Sequence, residues 1–264
     1  MPVVSARPAA VAGSFYPGNA PELSRCVDAM LLAGDGGARR PKALIAPHAG
    51  YVYSGPTAAR AYATLRPFAS EIRRVVLFGP AHRLAINGLA APTVDAFVTP
   101  LGSVPVDHEA LATACQFPQV QWNDDAHAHE HSLEVQLPFL QRLLGEFTIA
   151  PFVVGNTNAT AVAAVMDALW GGDETLLVVS SDLSHYLPYA DAQRIDCASV
   201  EAIRSLEPLR HFDQACGALP INGLVATARK RNLQAELLDW RNSGDTAGDK
   251  AQVVGYAALA FYES

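Results

Sequence analysis

Apolar residues follow two alternating patterns along this chain. Short, nearly unbroken runs rich in Val, Ile and Leu occur at residues 42–46, 74–78, 149–154, 176–180 and 253–261. Continuous apolarity of that length predicts strands buried on both faces of a sheet. Between them, apolar residues recur at helical spacing over 21–32, 56–65, 108–115, 132–144, 160–170, 189–205 and 223–231. Several of these segments open on Asn, Ser, Asp or Pro, which satisfy or dispense with the free N–H groups of a first helical turn. The alternation of strand and helix predicts an α/β fold, a single three-layer α/β/α domain around a mostly parallel mixed sheet. Residues 95–99, lying between proline-marked turns, are expected to add an antiparallel strand. No internal repeat, low-complexity tract or long polar linker divides the chain, so residues 1–264 are read as one domain.

Composition supports a large core: 50% of residues are hydrophobic and 17% charged, against about 25% charged in an average globular chain. Net charge is −7 and no basic cluster exceeds Arg39-Arg40 or Arg229-Lys230-Arg231, which argues against a surface that tracks nucleic-acid phosphates. The longest run free of strongly polar residues, 253–262, is ten residues long, half of the roughly 20 that a membrane-spanning helix requires. Ser5, Arg7 and Pro8 interrupt what would be the apolar core of a signal peptide, so a cytoplasmic protein is expected. The four cysteines are widely spaced and form no CxxC, as reduced thiols would be. Cys26, Cys115 and Cys197 fall within helical patterns and are assigned to the core.

The candidate chemistry lies just beyond the strands. The run ending at Ala46 continues into Pro47-His48-Ala49-Gly50-Tyr51, that ending at Phe78 into Gly79-Pro80-Ala81-His82-Arg83, and that ending at Ser180 into Ser181-Asp182-Leu183-Ser184-His185. Three strands thus each deliver a histidine past their C-terminal ends, the edge of an open α/β sheet where ligands bind. Imidazole suits Fe, Cu, Zn and Ni, and two histidines with one anionic ligand leave coordination positions open; Asp182 or Cys216 is the candidate anion. A second cluster, His127-Ala128-His129-Glu130-His131-Ser132-Leu133-Glu134, precedes a helix that Ser132 is placed to cap. His131, nearest that helix, is the candidate site residue. His127 and His129 are assigned to the surface, and Glu134 to the helix dipole. Phe15, Tyr16, Tyr51 and Tyr186 are candidates for an aromatic lining. The chain has no GxSxG elbow, P-loop, GxGxxG or HExxH.

Six motifs, in this order, resemble the Memo family: Arg7-Pro-Ala-Ala-Val-Ala-Gly-Ser-Phe-Tyr-Pro17, Pro47-His-Ala-Gly-Tyr51, Gly79-Pro-Ala-His82, Glu130-His-Ser-Leu-Glu134, Ser180-Ser-Asp182 with His185, and Cys216-Gly217 with Pro220-Ile221. The resemblance spans nearly the whole chain. It implies a fold like that of the class III extradiol dioxygenases and, in bacteria and archaea, association with an AMMECR-like protein and a radical SAM protein. It further implies that His48, His82 and Cys216 form a metal triad, with Asp182 and His185 in the same pocket; His131, Arg83 and Tyr51 are expected around it. The dioxygenases use two histidines and a glutamate for Fe(II). A thiolate in place of the carboxylate is softer, admits Cu(I) or Zn beside Fe(II), and is itself oxidisable. Arg83 stands where a second histidine is expected in many relatives, and puts a fixed positive charge beside the site.

Together these features predict a non-haem iron redox enzyme acting on a small, aromatic substrate, with His185 as acid and base and Asp182 orienting it. Two alternatives stay open at the level of sequence. One is a non-catalytic iron-, copper- or peptide-binding module, in keeping with the receptor-signalling associations of eukaryotic Memo relatives. The other is a metal-dependent hydrolase, since metal-bound water is a good nucleophile near neutral pH.

Overall fold

A computed structural model describes residues 5–263. Its strands are β1 (Ala6–Arg7), β2 (Ala43–Ala46), β3 (Arg74–Pro80), β4 (Leu89–Ala91), β5 (Ala96–Thr99), β6 (Gly102–Pro105), β7 (Val120–Trp122), β8 (Thr148–Val154), β9 (Thr175–Ser180), β10 (His185–Leu187), β11 (Gln234–Asn242) and β12 (Val253–Tyr262). Its α-helices are α1 (Ala20–Leu32), α2 (Tyr51–Ala63), α3 (His108–Ala114), α4 (Asp124–Ala128), α5 (Leu137–Leu143), α6 (Ala159–Ala168), α7 (Tyr189–Arg204) and α8 (Ala218–Arg231).

The main sheet runs β10-β12-β2-β9-β3-β8-β4-β7, with β11 also paired to β12. Its centre, β2-β9-β3-β8, is parallel, and these strands are buried almost throughout, as their unbroken apolarity predicts. The flanks add antiparallel pairs of β12 with β2, β10 and β11, and of β4 with β8. Helices α1, α2 and α5 pack as one group and α3, α6 and α8 as another, giving the three-layer α/β/α arrangement. Among the described residues no helix is long and apolar enough to cross a membrane.

Three local expectations are corrected. Residues 96–99 do not extend the main sheet: β5 pairs parallel with β1 and antiparallel with β6 in a separate three-stranded sheet. Asp95 fastens that sheet by accepting from the Ser5 backbone N–H and hydroxyl. The helix placed from Pro56 begins at Tyr51, with Pro56 inside it. The carbonyl that a proline leaves unpaired there belongs to Val52, which is exposed, so water can satisfy it. The segment from 132 to 144 is a 3₁₀ turn (Glu134–Gln136) running into α5, and Ser132 caps neither, because its hydroxyl donates to Pro80 O at 3.0 Å. Strand β11 escapes an apolar reading because it is a half-exposed edge carrying Glu236, Asp239 and Arg241.

Candidate metal centre

Strands β2, β9 and β3 are parallel neighbours, so the loops after them emerge side by side. His48 follows β2, Asp182 follows β9, and His82 follows β3. The segment ending in His131 crosses the same edge. One ring nitrogen from each of His48, His82 and His131 lies within 4.8 Å of the other two. Two glycines permit the approach. A Cβ on Gly79 would sit 2.6 Å from Ser132 Oγ, so β3 meets the segment bearing His131 only without one. A Cβ on Gly217 would sit 2.6 Å from the Ser181 Cβ, so the Cys216 turn likewise closes on the end of β9.

The hydrogen bonds fix which nitrogen of His48 is free. Ser180 Oγ donates its single proton to Ser132 O at 2.5 Å and accepts from Gln136 Nε2 at 2.8 Å. It can therefore only accept from His48 Nδ1, also at 2.8 Å. His48 Nδ1 carries the proton, and Nε2 keeps its lone pair. His82 is oriented from the other side by Glu130, whose carboxylate lies 2.9 Å from His82 Nδ1 and accepts from the backbone N–H groups of His82, His131 and Ser132. Burial alone would raise the Glu130 pKa, but His82 and these N–H groups hold it down to about 2. A ligand imidazole whose second nitrogen is tied to a hydroxyl or carboxylate is the usual arrangement around protein-bound metals.

Burial, reinforced by the neighbouring rings, drives the His48 pKa well below its ordinary value. Burial also lowers His131 to about 4, against the attraction of Glu130. Both are therefore neutral at pH 7, the form that coordinates metal. His131 Nδ1 is buried and makes no hydrogen bond, with Glu130 Oε1 3.4 Å away. A buried orphan nitrogen within a ring cluster is what a donor set for a metal looks like, so the residues fit a metal ion.

Cys216 lies at the edge of this cluster. Its Sγ is 3.3 Å from His48 Nε2, 3.7 Å from Asp182 O and 3.8 Å from Ser181 Oγ. Burial, helped by the Asp182 carboxylate, pushes the thiol up to about 12, so in the metal-free protein it is an S–H that donates to the His48 lone pair. The donors that lie within 4.8 Å of one another are His48, His82 and His131, and Cys216 meets this group through His48.

The family model described as Memo-like protein matches residues 7–260. The chain belongs to the Memo family. It is 35% identical to a MEMO1 family protein of Aquifex aeolicus, an alignment covering 97% of this chain and 98% of the relative. It is 38% identical to one from Aeropyrum pernix, over 94% and 96% of the two chains, and 36% identical to one from Archaeoglobus fulgidus, over 95% and 97%. Among solved structures, an uncharacterized Escherichia coli K12 protein shares the fold with a TM-score of 0.54 at 12% identity, covering 83% of this chain and 99% of that one.

In this Memo protein the cluster opens into a cavity of about 640 Å³. Asp182, His185, Arg83, Phe15 and Tyr186 line it, as do Tyr53 and Tyr256, which sequence reading did not select. Asp182 does not touch His185 through a hydrogen bond; its Oδ1 accepts from the His48 backbone N–H at 2.7 Å, and burial raises its pKa to about 7. His185, on β10, has a lowered pKa, chiefly through burial. Tyr51 and Tyr16 lie behind the cavity wall. Both are buried; the Tyr51 hydroxyl donates to Val135 O at 2.7 Å and its ring packs on Tyr16 and Phe139.

Other assignments change. His127 is a core residue, buried with Nε2 3.0 Å from Ala90 O, because Arg7 grips its carbonyl and draws the segment inward; His129 is exposed as expected. Cys197 is exposed on α7, on the face turned from the core, while Cys26 and Cys115 are half-buried. Glu134 does far more than complement a dipole. Fully buried, it pairs with Arg7 and accepts from Ala10 N at 2.7 Å, Val11 N at 3.0 Å and the Tyr16 hydroxyl at 2.5 Å. Arg7 also donates to His127 O at 2.7 Å and Glu130 O at 2.5 Å. The N-terminal motif is thus a strap that seats the segment bearing Glu130 and His131. Glu130 and Ser180 were legible only as members of motifs; nothing in their spacing singled them out.

Proposed function

We propose that this Memo protein is a cytoplasmic non-haem iron oxidoreductase acting on a small aromatic substrate. The observation that carries the reading is the set of three imidazoles, two of them oriented by Ser180 and Glu130, at the C-terminal edge of three adjacent parallel strands beside a cavity of ligand size. His48, His82 and Cys216 would hold the metal, with His131 beside them, and Fe(II) suits such nitrogen and sulfur donors, as do Cu(I) and Zn. Iron, when bound, supplies open coordination positions and one-electron redox chemistry.

The protein's own residues then have distinct tasks. Phe15, Tyr53, Tyr186 and Tyr256 offer aromatic faces to the substrate. His185, neutral at pH 7 because burial lowers its pKa, takes a proton from a substrate hydroxyl and returns it. Asp182 holds the His48 loop through the His48 N–H and so positions a ligand rather than the base. The four unpaired cysteines suit a reducing compartment. On the same reading, the partners are those the resemblance implies, an AMMECR-like and a radical SAM protein.

The test is oxygen uptake by anaerobically iron-loaded protein on addition of hydroxylated aromatic compounds. Substrate-dependent uptake, lost in His185→Ala without loss of iron, is expected. Turnover of esters or amides without oxygen uptake would instead point to hydrolysis, and iron binding without any turnover to a binding module.

A further inference from the structure

The cavity is a trough with unlike ends. It runs along the sheet edge from the loop after β3, which carries His82 and Arg83, to β10 and the start of β12, which carry Tyr186, Gln252 and Val254. In the strand order these ends are four positions apart, roughly 15–20 Å at the usual strand spacing. Arg83 stands at the first end. Several guanidinium groups are paired with carboxylates, Arg7 with Glu134, Arg74 with Asp107, Arg142 with Asp28 and Arg231 with Asp167. Arg83 makes no hydrogen bond or ion pair among the described residues, in a chain of net charge −7. At the second end is Asp249, whose Oδ1 accepts from Ala251 N at 2.8 Å and which has no cationic partner among the described residues. Between the ends the walls are aromatic, with the Phe15 ring 4.8 Å from that of His131.

We infer that the cavity takes an elongated aromatic carboxylate, its anionic end on Arg83 and its neutral end toward Asp249. The inference rests on the proposed function only for its choice of cavity. Arg83 is exposed at the mouth of the cavity, and a guanidinium there binds a carboxylate through two parallel hydrogen bonds. A fixed carboxylate at the far end repels a second anion and so sets the direction of entry. The length of the trough asks for more than a single ring.

The probe is biphenyl-4-carboxylate, compared with the uncharged biphenyl-4-carboxamide of the same shape, titrated calorimetrically into the full chain at low salt, both metal-free and loaded anaerobically with Fe(II). The acid should bind about tenfold or more tightly than the amide in both forms. Arg83→Met should abolish that preference and Arg83→Lys keep part of it. Equal binding of acid and amide, an unchanged preference in Arg83→Met, or no binding of either probe would overturn the inference. Because the metal-free arm is read separately, failure to bind iron with the acid preference intact counts against the metal reading alone. Iron binding without that preference counts against the carboxylate site alone.

Discussion

Two buried carboxylates stand behind the two walls of the cavity, and they are treated very differently. Glu134, behind the wall that carries His131, has a cation, two backbone N–H groups and a phenol arrayed around it. Asp196, behind the turn that leads to His185, accepts from Ser184 N at 3.0 Å and has no cation beside it among the described residues. Burial accordingly raises the Asp196 pKa to about 6. A satisfied buried charge fixes its surroundings, whereas an unpaired one leaves them sensitive to protonation. The side of the site that carries His131 is therefore the rigid one, and the side that carries His185 the softer.

Breaking the rigid side should have the largest effect. Arg7→Met leaves Glu134 buried without its cation, and chemical denaturation should show a loss of about 3–5 kcal/mol. A loss below about 1 kcal/mol would mean that the strap is not what seats the segment bearing His131. One step nearer the metal, Glu130→Gln keeps the shape but removes the charge facing His82. Metal affinity measured by competition with a chelator should fall by about 10–100-fold, with the fold intact by circular dichroism.

On the softer side the sign reverses. The unfolded chain releases the Asp196 proton near its ordinary pKa of about 3.9, and the folded chain near 6. The contribution of this group to stability is thus fully present below about pH 4, declines as pH rises through 6, and stays low above it. Asp196→Asn should be more stable than the parent at pH 8 by about 1–2 kcal/mol, with the advantage vanishing at pH 4. A difference curve flat in pH would remove the contrast between the two carboxylates. The smallest effect is expected at Ser180→Ala. It frees the His48 tautomer and leaves Gln136 short of an acceptor, and metal affinity should drop by about tenfold or less.

How much of this was legible in the sequence follows from the same physics. The central strands announce themselves because both faces are buried, and the histidines after β2 and β3 could be found because the loop follows its strand directly. Strand β11 was missed because an edge strand carries charge on its open side. The inward placement of the 127–134 segment has no local signal because the His127 carbonyl and the Glu134 carboxylate are held by Arg7, more than 100 residues away in sequence. Polar residues buried by distant partners carry no periodic signature. For the same reason nothing in the sequence pattern distinguishes Glu130, which orients His82 and ties down two further backbone N–H groups, from the histidines beside it.

The most direct test of the account is the metal content of the full chain, reconstituted anaerobically with Fe(II) and desalted, measured by elemental analysis beside the His48→Ala/His82→Ala variant. About one iron per chain in the parent and none in the folded variant is the predicted result. Stoichiometric iron retained by the variant, or none bound by the parent, would contradict it.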